Sequence, residues 1–444
     1  MMKDGKEAAL RWQPVHSWRT GSMDSASARY GFWTIVAFFS LAAILFQLGA
    51  HFTNYTDYIG ADPDDSMRLV EVRDFLNGQS WFDLRQYRLG PDGGTLMHWS
   101  RLIDLPIATL IAFFRLFLSP QAAEAAAALV WPPLLLIPLM AATALAGFRI
   151  GGRHAMLMAL GLVVLFTAAI IRFRPGALDH HNVQMVLAIF VAAMLIDPLA
   201  RASNFVAAAL ASGVALQIGA ETTPLMAVAA MTVSVLWTWY GPRYQRAAIG
   251  FGFALALATG LLFFGTTPPR LYSMVTCDTL SIGFFSLAAA GGIGLGIAAS
   301  LLSRQGVVFR FAALLGVGAA VLVLARVIAP QCLGNPLDQL DPLLKTMWLG
   351  SITEAQSIIA EMKVEPATAG GFYAVGLIAI AGARIWVDNK VDFADSRNLI
   401  VAAITLVLGT GDFTLRFGGF AMGGIGTATF GAILLHALLS RGKK

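Results

Sequence analysis

Three carboxylates fall within four residues at Asp62-Pro63-Asp64-Asp65, shortly after the first long apolar run. Such a cluster cannot sit in hydrocarbon, where each charge costs several kcal/mol, so it faces water or binds a cation at the membrane edge. Asp62, Asp64 and Asp65 are hard oxygen ligands of the kind Mg²⁺ or Mn²⁺ takes. The same stretch also starts a helix well, with Asp64 or Asp65 as the cap of a helix through Met67-Arg68-Leu69-Val70. A second constellation is Arg174-Pro175-Gly176-Ala177-Leu178-Asp179-His180-His181. On extended backbone, Asp179 and His181 point to one face and can chelate one ion; alternatively Asp179 is an N-cap and the histidines are interfacial. Glu354, in Ser351-Ile352-Thr353-Glu354, reads by default as a surface glutamate. Arg416, in Asp412-Phe413-Thr414-Leu415-Arg416-Phe417, suits either lipid headgroups or the fork-on-phosphate geometry of a guanidinium. Glu221 lies between two apolar runs and either lines the same cavity or sits at the interface.

The elements that must position these residues are membrane helices. Of 444 residues, 57% are hydrophobic and 13% charged, against about 25% charged in soluble domains. Mean hydropathy is +0.69. Apolar runs of about twenty residues recur along the whole chain, so the fold class is an all-α polytopic membrane protein. Residues 1–29 carry Lys3, Lys6, Arg11, Arg19 and Arg29 and lack a small-residue cleavage site, and so read as a cytoplasmic tail. The net charge of +5 is accounted for by basic residues flanking spans on the inner side, and implies no nucleic acid. Cys277 and Cys332 cannot make a zinc site by themselves; both fall outside in this topology, as a disulfide or as two thiols.

A first span at 31–51 precedes a long hydrophilic loop, 52–102. The segment 103–119, interrupted by Asp104, Pro106 and Arg115, reads as a helix on the outer surface, because that places the basic loop 149–153 inside. The remaining spans are then expected at 121–147, 154–171, 182–199, 203–219, 222–240, 246–267, 281–302, 308–330, 368–386, 398–412 and 416–439. That makes about twelve, in one membrane domain over 30–440, with both ends cytoplasmic and a basic tail at 441–444. The loops 52–102, 172–181 and 331–367 and the boundary near Arg416 then share the outer face.

In that order and topology the motifs resemble the catalytic subunit of bacterial and archaeal oligosaccharyltransferases, of the glycosyltransferase C superfamily. The family's first-loop Asp-Pro-x-x-x-x-Arg, Trp-Phe-Asp and Pro-x-Gly are similar to Asp62-Pro63 through Arg68, Trp81-Phe82-Asp83 and Pro91-Asp92-Gly93. Its surface helix before the second span matches 103–119. Its archaeal Asp-His-His looks like Asp179-His180-His181, its Ser/Thr-x-x-Glu like Ser351 through Glu354, and its Leu-Arg-Phe like Leu415-Arg416-Phe417. The sequence has no Trp-Trp-Asp, the family's acceptor-gripping motif, and stops short of the family's soluble domain.

The resemblance implies an inner-membrane glycosyltransferase with its site facing the periplasm, moving a sugar from a polyprenyl phosphate or diphosphate. The acceptor is then expected to be a glycan, a lipid or a protein. It implies Mg²⁺ or Mn²⁺ on Asp62, Asp179 and His181, with Arg416 on the donor phosphate. Asp62, Glu354 or Asp65 would handle the acceptor, and Asp64, His180 and Glu221 are second choices. The metal would neutralise the leaving phosphate. The alternative is a secondary transporter or a lipid-linked-sugar flippase. Against it stands the gathering of acidic and histidine residues at one face, where transporters place theirs near the bilayer centre.

Overall fold

A computed structural model describes residues 26–51, 58–60, 62–90, 92–334, 341–347, 392, 395–410, 415–417, 420–422 and 424–440. The chain is an all-α membrane protein. The principal helices are α1 (Ala26–His51), α2 (Pro63–Leu76), α3 (Arg101–Phe114), α4 (Pro120–Leu134), α5 (Leu136–Ala169), α6 (His181–Leu195), α7 (Ala202–Ile218), α8 (Thr223–Tyr240), α9 (Gln245–Thr266), α10 (Ile282–Leu302) and α11 (Val307–Ile328). A short α12 (Pro342–Met347), then α13 (Ser396–Thr410) and α14 (Gly424–Ser440), follow. By length and composition, Gly31–His51, Pro120–Ala168, Thr223–Thr266, Ile282–Leu302 and Val307–Ile328 are long and apolar enough to cross a membrane. Their outer faces are apolar, with Leu257, Phe309, Leu322 and Val323 well exposed, as a lipid-facing surface requires.

Three apolar clusters hold the bundle. One joins α6 to α10 around Phe205, Val233, Trp237 and Phe251; a second joins α1 to α5 around Val36, Leu139, Met140 and Phe173. The third positions the site. Leu69 and Val72 of α2 meet Ile103, Ile107 and Ile111 of α3, Ala127 and Trp131 of α4, and Leu178 of the loop before α6. In α3 the four-residue spacing of its isoleucines makes one buried stripe, while Leu105 and Phe113 face outward. The hydrophilic first loop is thus a packed cap: α2, α3 and a two-stranded ribbon, β1 (Arg85–Gln86) against β2 (Thr95–Leu96), antiparallel with Arg85 opposite Leu96.

Several boundaries differ from the sequence expectation. The span expected at 121–147 is broken after Leu134, where Pro132 and Pro133 remove two backbone donors. The loop expected at 149–153 is a tight turn that divides α5 into two helices: Gly151 and Gly152 leave helical geometry, Gly152 at φ +68°, and the chain folds back so that a Cβ on Gly147 would lie 2.8 Å from Met156 Cα. Cys277 and Cys332 form a disulfide. The span expected at 416–439 begins later. Leu415–Phe417 is a strand, β3, paired antiparallel with β4 (Phe420–Met422), Arg416 opposite Ala421, and α14 starts at Gly424. Aromatic residues at paired positions 417 and 420 favour strand over helix there. The span expected at 368–386 lies outside the described residues.

Candidate functional site

The site is built where the N-termini of α2, α3 and α6 meet. Asp62 is the N-cap of α2: its Oδ1 accepts from the backbone N–H of Asp64 at 3.1 Å, and Pro63 takes the first helical position. Its other oxygen is ion-paired with Arg172. Asp65, one turn in, is 3% exposed, and its Oδ1 accepts from the N–H of Asp179 at 2.9 Å. Burial pushes the Asp65 carboxyl up to about 6, against the pull of that hydrogen bond and with a push from the Asp62 and Asp179 charges. The loop before α6 is pinned by two backbone bonds, from Gly60 N–H to Gly176 O and from Gly176 N–H to Ala128 O, both 2.9 Å. Gly176 sits at φ +90°, and a Cβ on Gly60 would lie 1.9 Å from Asp65 Oδ2, so side chains at these two positions would break the junction.

Asp179 and His181 converge on one point, but not on the extended backbone the sequence suggested. His180 has φ −76° and ψ −14°, a helical turn leading into α6, and the three side chains fan around it. His180 Nδ1 is 2.5 Å from Asp179 Oδ1, so this nitrogen carries the proton and donates to the carboxylate. His181 Nδ1 lies 3.0 Å from Gln184 Oε1, an acceptor, and likewise donates. With Nδ1 engaged in each ring, Nε2 is the atom that a neutral imidazole would offer to a metal. His181 Nε2 stands 3.3 Å from Asp179 Oδ2. Asp179 Oδ2 and His180 Nε2 are buried with no hydrogen-bond partner. One ligand atom from each of Asp179, His180 and His181 lies within 4.8 Å of the others. This donor set, two imidazoles and a carboxylate, fits a divalent transition metal better than a hard oxygen-only ion. Gln184 carries the outer support onward, donating to Glu221 Oε2 at 2.9 Å from its other end.

Beneath the cluster lies a charged core that the sequence reading passed over. Arg68 is fully buried. Its Nη1 lies 3.0 Å from Asp104 Oδ1 and 3.5 Å from Glu71 Oε2, its Nη2 is 3.7 Å from Asp179 Oδ1, and its guanidinium stacks 4.3 Å over Trp99. Arg101 closes the far side, donating to Asp104 Oδ2 at 2.9 Å and to the Asp83 carbonyl at 2.6 Å. Burial works against the Asp179 charge, but the hydrogen bond from His180, the two imidazoles and Arg68 hold its carboxyl well below the usual range. Burial likewise opposes charge on His180, and the adjoining Asp179 carboxylate raises it. Two signals could have revealed this core: Asp104 and Arg101 at three-residue spacing in an apolar helix, and Gln184 one turn after His181.

The other sequence candidates fall as follows. Asp62 lies outside the metal-capable group, because its carboxylate is occupied by the helix cap and Arg172. Asp64 is in the first turn of α2, and burial raises its carboxyl, with Asp179 and Asp62 adding to the effect. Glu221 sits on a single helical turn between α7 and α8, half exposed, with Oε2 3.8 Å from His180 Nε2, beyond hydrogen-bond reach. Arg416 is on β3; Glu354 lies outside the described residues.

No protein-family model matches the chain. By sequence it is 73% identical over 66 residues to the putative pyrimidine permease RutG of Escherichia coli, 15% of each chain. It is 29% identical over 133 residues to a uracil permease of Bacillus subtilis, 29% of each chain. A uracil permease of Paenibacillus larvae is 42% identical over 60 residues, 14% of each. The chain therefore spans less than a third of the length of these relatives. By structure it is similar to the crystal structure of an Archaeoglobus fulgidus oligosaccharyltransferase in complex with Zn and sulfate, with a TM-score of 0.51 at 14% identity, covering 92% of this chain and 52% of that one. At that identity the likeness is one of fold, and the glycosyltransferase C-like architecture expected from the motifs stands on it. The activity does not. The expectation of a glycosyltransferase, and of an enzyme at all, is corrected by the sequence relatives, which are permeases. The transporter alternative fits them better.

Proposed function

We propose that the chain is a membrane carrier for a small polar solute, with a cation site at Asp179, His180 and His181. The observation that carries this reading is the sequence identity to pyrimidine and uracil permeases, which also names the solute class to try first. One feature of the geometry supports it. The apolar helices α6 and α7 have 15 and 17 residues, about 22 and 26 Å at 1.5 Å per residue, short of the ~30 Å hydrocarbon core. The loop 174–180 and the single 3-10 turn at 220–222 adjoin these helices, and they carry Asp179, His180 and Glu221. Short helices whose broken ends present polar groups are the usual frame of a carrier's ion and solute sites. The gathering of titratable groups at these ends is therefore no argument against transport. A divalent metal is the cation the donor set suits, and when bound it would supply fixed positive charge beside the solute path.

The test is uptake of radiolabelled uracil by proteoliposomes containing the purified chain, with and without an imposed ion gradient. Saturable uptake above protein-free vesicles, reduced in Asp179→Asn, is the expected result. Uptake no greater than in empty vesicles, for uracil and for other nucleobases, would overturn the carrier reading.

A further inference from the structure

Next to the charged core, and separate from the histidine cluster, lies a cavity of about 100 Å³. One wall is the first-loop stretch Leu84 and Leu96 to Ser100; the others are the ends of α7 and α9 and the loop 271–281. The Cys277–Cys332 disulfide ties that loop to the chain after α11. It has room for several waters or one single-ring solute. Three of its six hydroxyl side chains are already committed. Ser281 donates to Thr276 O at 2.7 Å and Thr266 to Leu262 O at 2.8 Å, while Ser100 Oγ accepts from the N–H of Leu102 at 3.3 Å. Two of its polar atoms are buried and unpaired. Gln217, at the end of α7 and 5% exposed, has a buried Oε1 with no partner, and Thr276 has a buried Oγ1 with none. Buried polar atoms in native proteins are almost always paired, and one left open beside a cavity marks the place where something else pairs with it.

The lining restricts what that is. Met97, Met274, Leu280 and the indole of Trp99 are flat or apolar walls, which favours a planar ring. The carboxylate of Asp278 disfavours anions, and the buried unpaired groups belong to a neutral carboxamide and a hydroxyl, which cannot compensate a buried full charge. A carboxamide pairs best with its own complement, an N–H beside a C=O. We infer that this cavity binds a small neutral ring carrying an amide or imide edge, held by the Gln217 carboxamide and packed on Trp99. The inference rests on the carrier reading for its meaning, because the solute would be the cargo. Trp99 gives the site its connection to the ion cluster. Its ring lines this cavity, carries Arg68 at 4.3 Å, and lies 6.1 Å between centroids from His180.

Binding is measured on the full chain in detergent by calorimetric titration with uracil, and with 1,3-dimethyluracil, which keeps the ring and carbonyls but has no N–H. Uracil is expected to bind, the dimethyl compound at least tenfold more weakly, since a site that hydrogen-bonds its ligand rejects an analogue lacking the donor. Gln217→Met, close in volume, and Thr276→Val should each weaken uracil by tenfold or more with an unchanged melting temperature. Equal binding of the two compounds, unchanged affinity in both folded variants, or no heat with uracil at millimolar concentration would each overturn the inference. Binding without vesicle uptake would instead sink the carrier reading alone, and uptake with no effect of Gln217→Met would place the cargo elsewhere.

Discussion

Glu71→Gln should make the protein less sensitive to alkaline pH. The buried core beneath the histidines contains Arg68 and Arg101 as cations and Asp104 and Asp179 as anions, all at most 3% exposed. Those four charges balance. A third carboxylate at Glu71, 6% exposed and 3.5 Å from Arg68 Nη1, would be in excess. Burial, aided by the Asp104 charge and opposed by the two guanidiniums, pushes the Glu71 carboxyl from 4.5 up to about 8. The folded state therefore holds this proton more tightly than the unfolded chain does. Its contribution to stability is complete below pH 4.5, declines as pH rises through the window from 4.5 to 8, and is gone above it. At 1.36 kcal/mol per pKa unit, that span amounts at most to roughly 5 kcal/mol, an upper figure for a shared network. Glutamine keeps the shape and the hydrogen-bonding carbonyl but has no proton to lose. The assay is the apparent melting temperature of wild type and variant in one detergent from pH 5 to pH 9. The wild type should lose several degrees relative to Glu71→Gln over that interval, with the curves closest at pH 5. Parallel curves would refute the neutral Glu71 and with it the charge balance.

Arg68→Met leaves Asp179 buried without its guanidinium and Asp104 with Arg101 alone, and breaking a buried pair typically costs about 3–5 kcal/mol. The protein should express poorly or melt far lower, and a melting curve like wild type would show that the core tolerates unpaired charge. Asp179→Asn should abolish any rise in melting temperature on adding Zn²⁺ or Mn²⁺, while Asp62→Asn, which touches only the α2 cap and Arg172, should leave that rise in place. Acid should loosen the turn between α6 and α7. Burial works against the Asp197 charge, but bonds from Arg201 and Asn204 hold its carboxyl down at about 2, so its contribution, complete above 3.8, is lost as pH falls between 3.8 and 2. Asp197→Asn should remove that acid step from the melting profile. Reducing the Cys277–Cys332 bond, 55 residues apart in sequence, should cost less than the ~4 kcal/mol of free-chain loop closure, because α10 and α11 lie between the cysteines. A larger loss would mean that the loop over the cavity depends on the bond for its shape.

The fold class was legible because membrane helices are written in composition, and most helix centres follow from the apolar runs. The boundaries were less so: the turn at Gly151-Gly152 falls inside the expected loop 149–153, but the break at Pro132-Pro133 acts through local backbone terms that a hydropathy window averages away. The motifs were legible as positions and only in part as chemistry: Asp179 and His181 do meet in a group able to hold a metal, and Asp62 does not join it. Asp62 reads as a metal ligand, yet its geometry is that of a helix cap in an ion pair. Trp81 donates to the Gly265 carbonyl at 2.7 Å and Asp83 accepts from Tyr87 at 2.9 Å, so both serve to fasten the first loop. Arg68 looks like a polar residue of a wet loop, and only the packing of α2 on α3 and on the loop before α6 reveals it as fully buried. Residues at such junctions follow from the architecture alone, and so mark a fold without marking an activity.

On the proposed reading, that separation also explains why a frame similar to an oligosaccharyltransferase suits transport. Two sites share one wall. Arg68 ties α2, α3 and the Asp179 loop into a unit, and Trp99 transmits that unit to the neighbouring cavity through direct contact with the guanidinium. A cation at Asp179 repels Arg68 and competes for the same carboxylate, and any displacement of the guanidinium releases the face of Trp99. Solute and cation then influence each other by differential binding to two arrangements of one aromatic ring, and the coupling must be reciprocal. If uracil affinity rises with Zn²⁺, then Zn²⁺ affinity rises with uracil by the same factor, and Trp99→Leu should bring both factors to one. Coupling that survives Trp99→Leu would mean that the two sites communicate through the helices rather than across this wall.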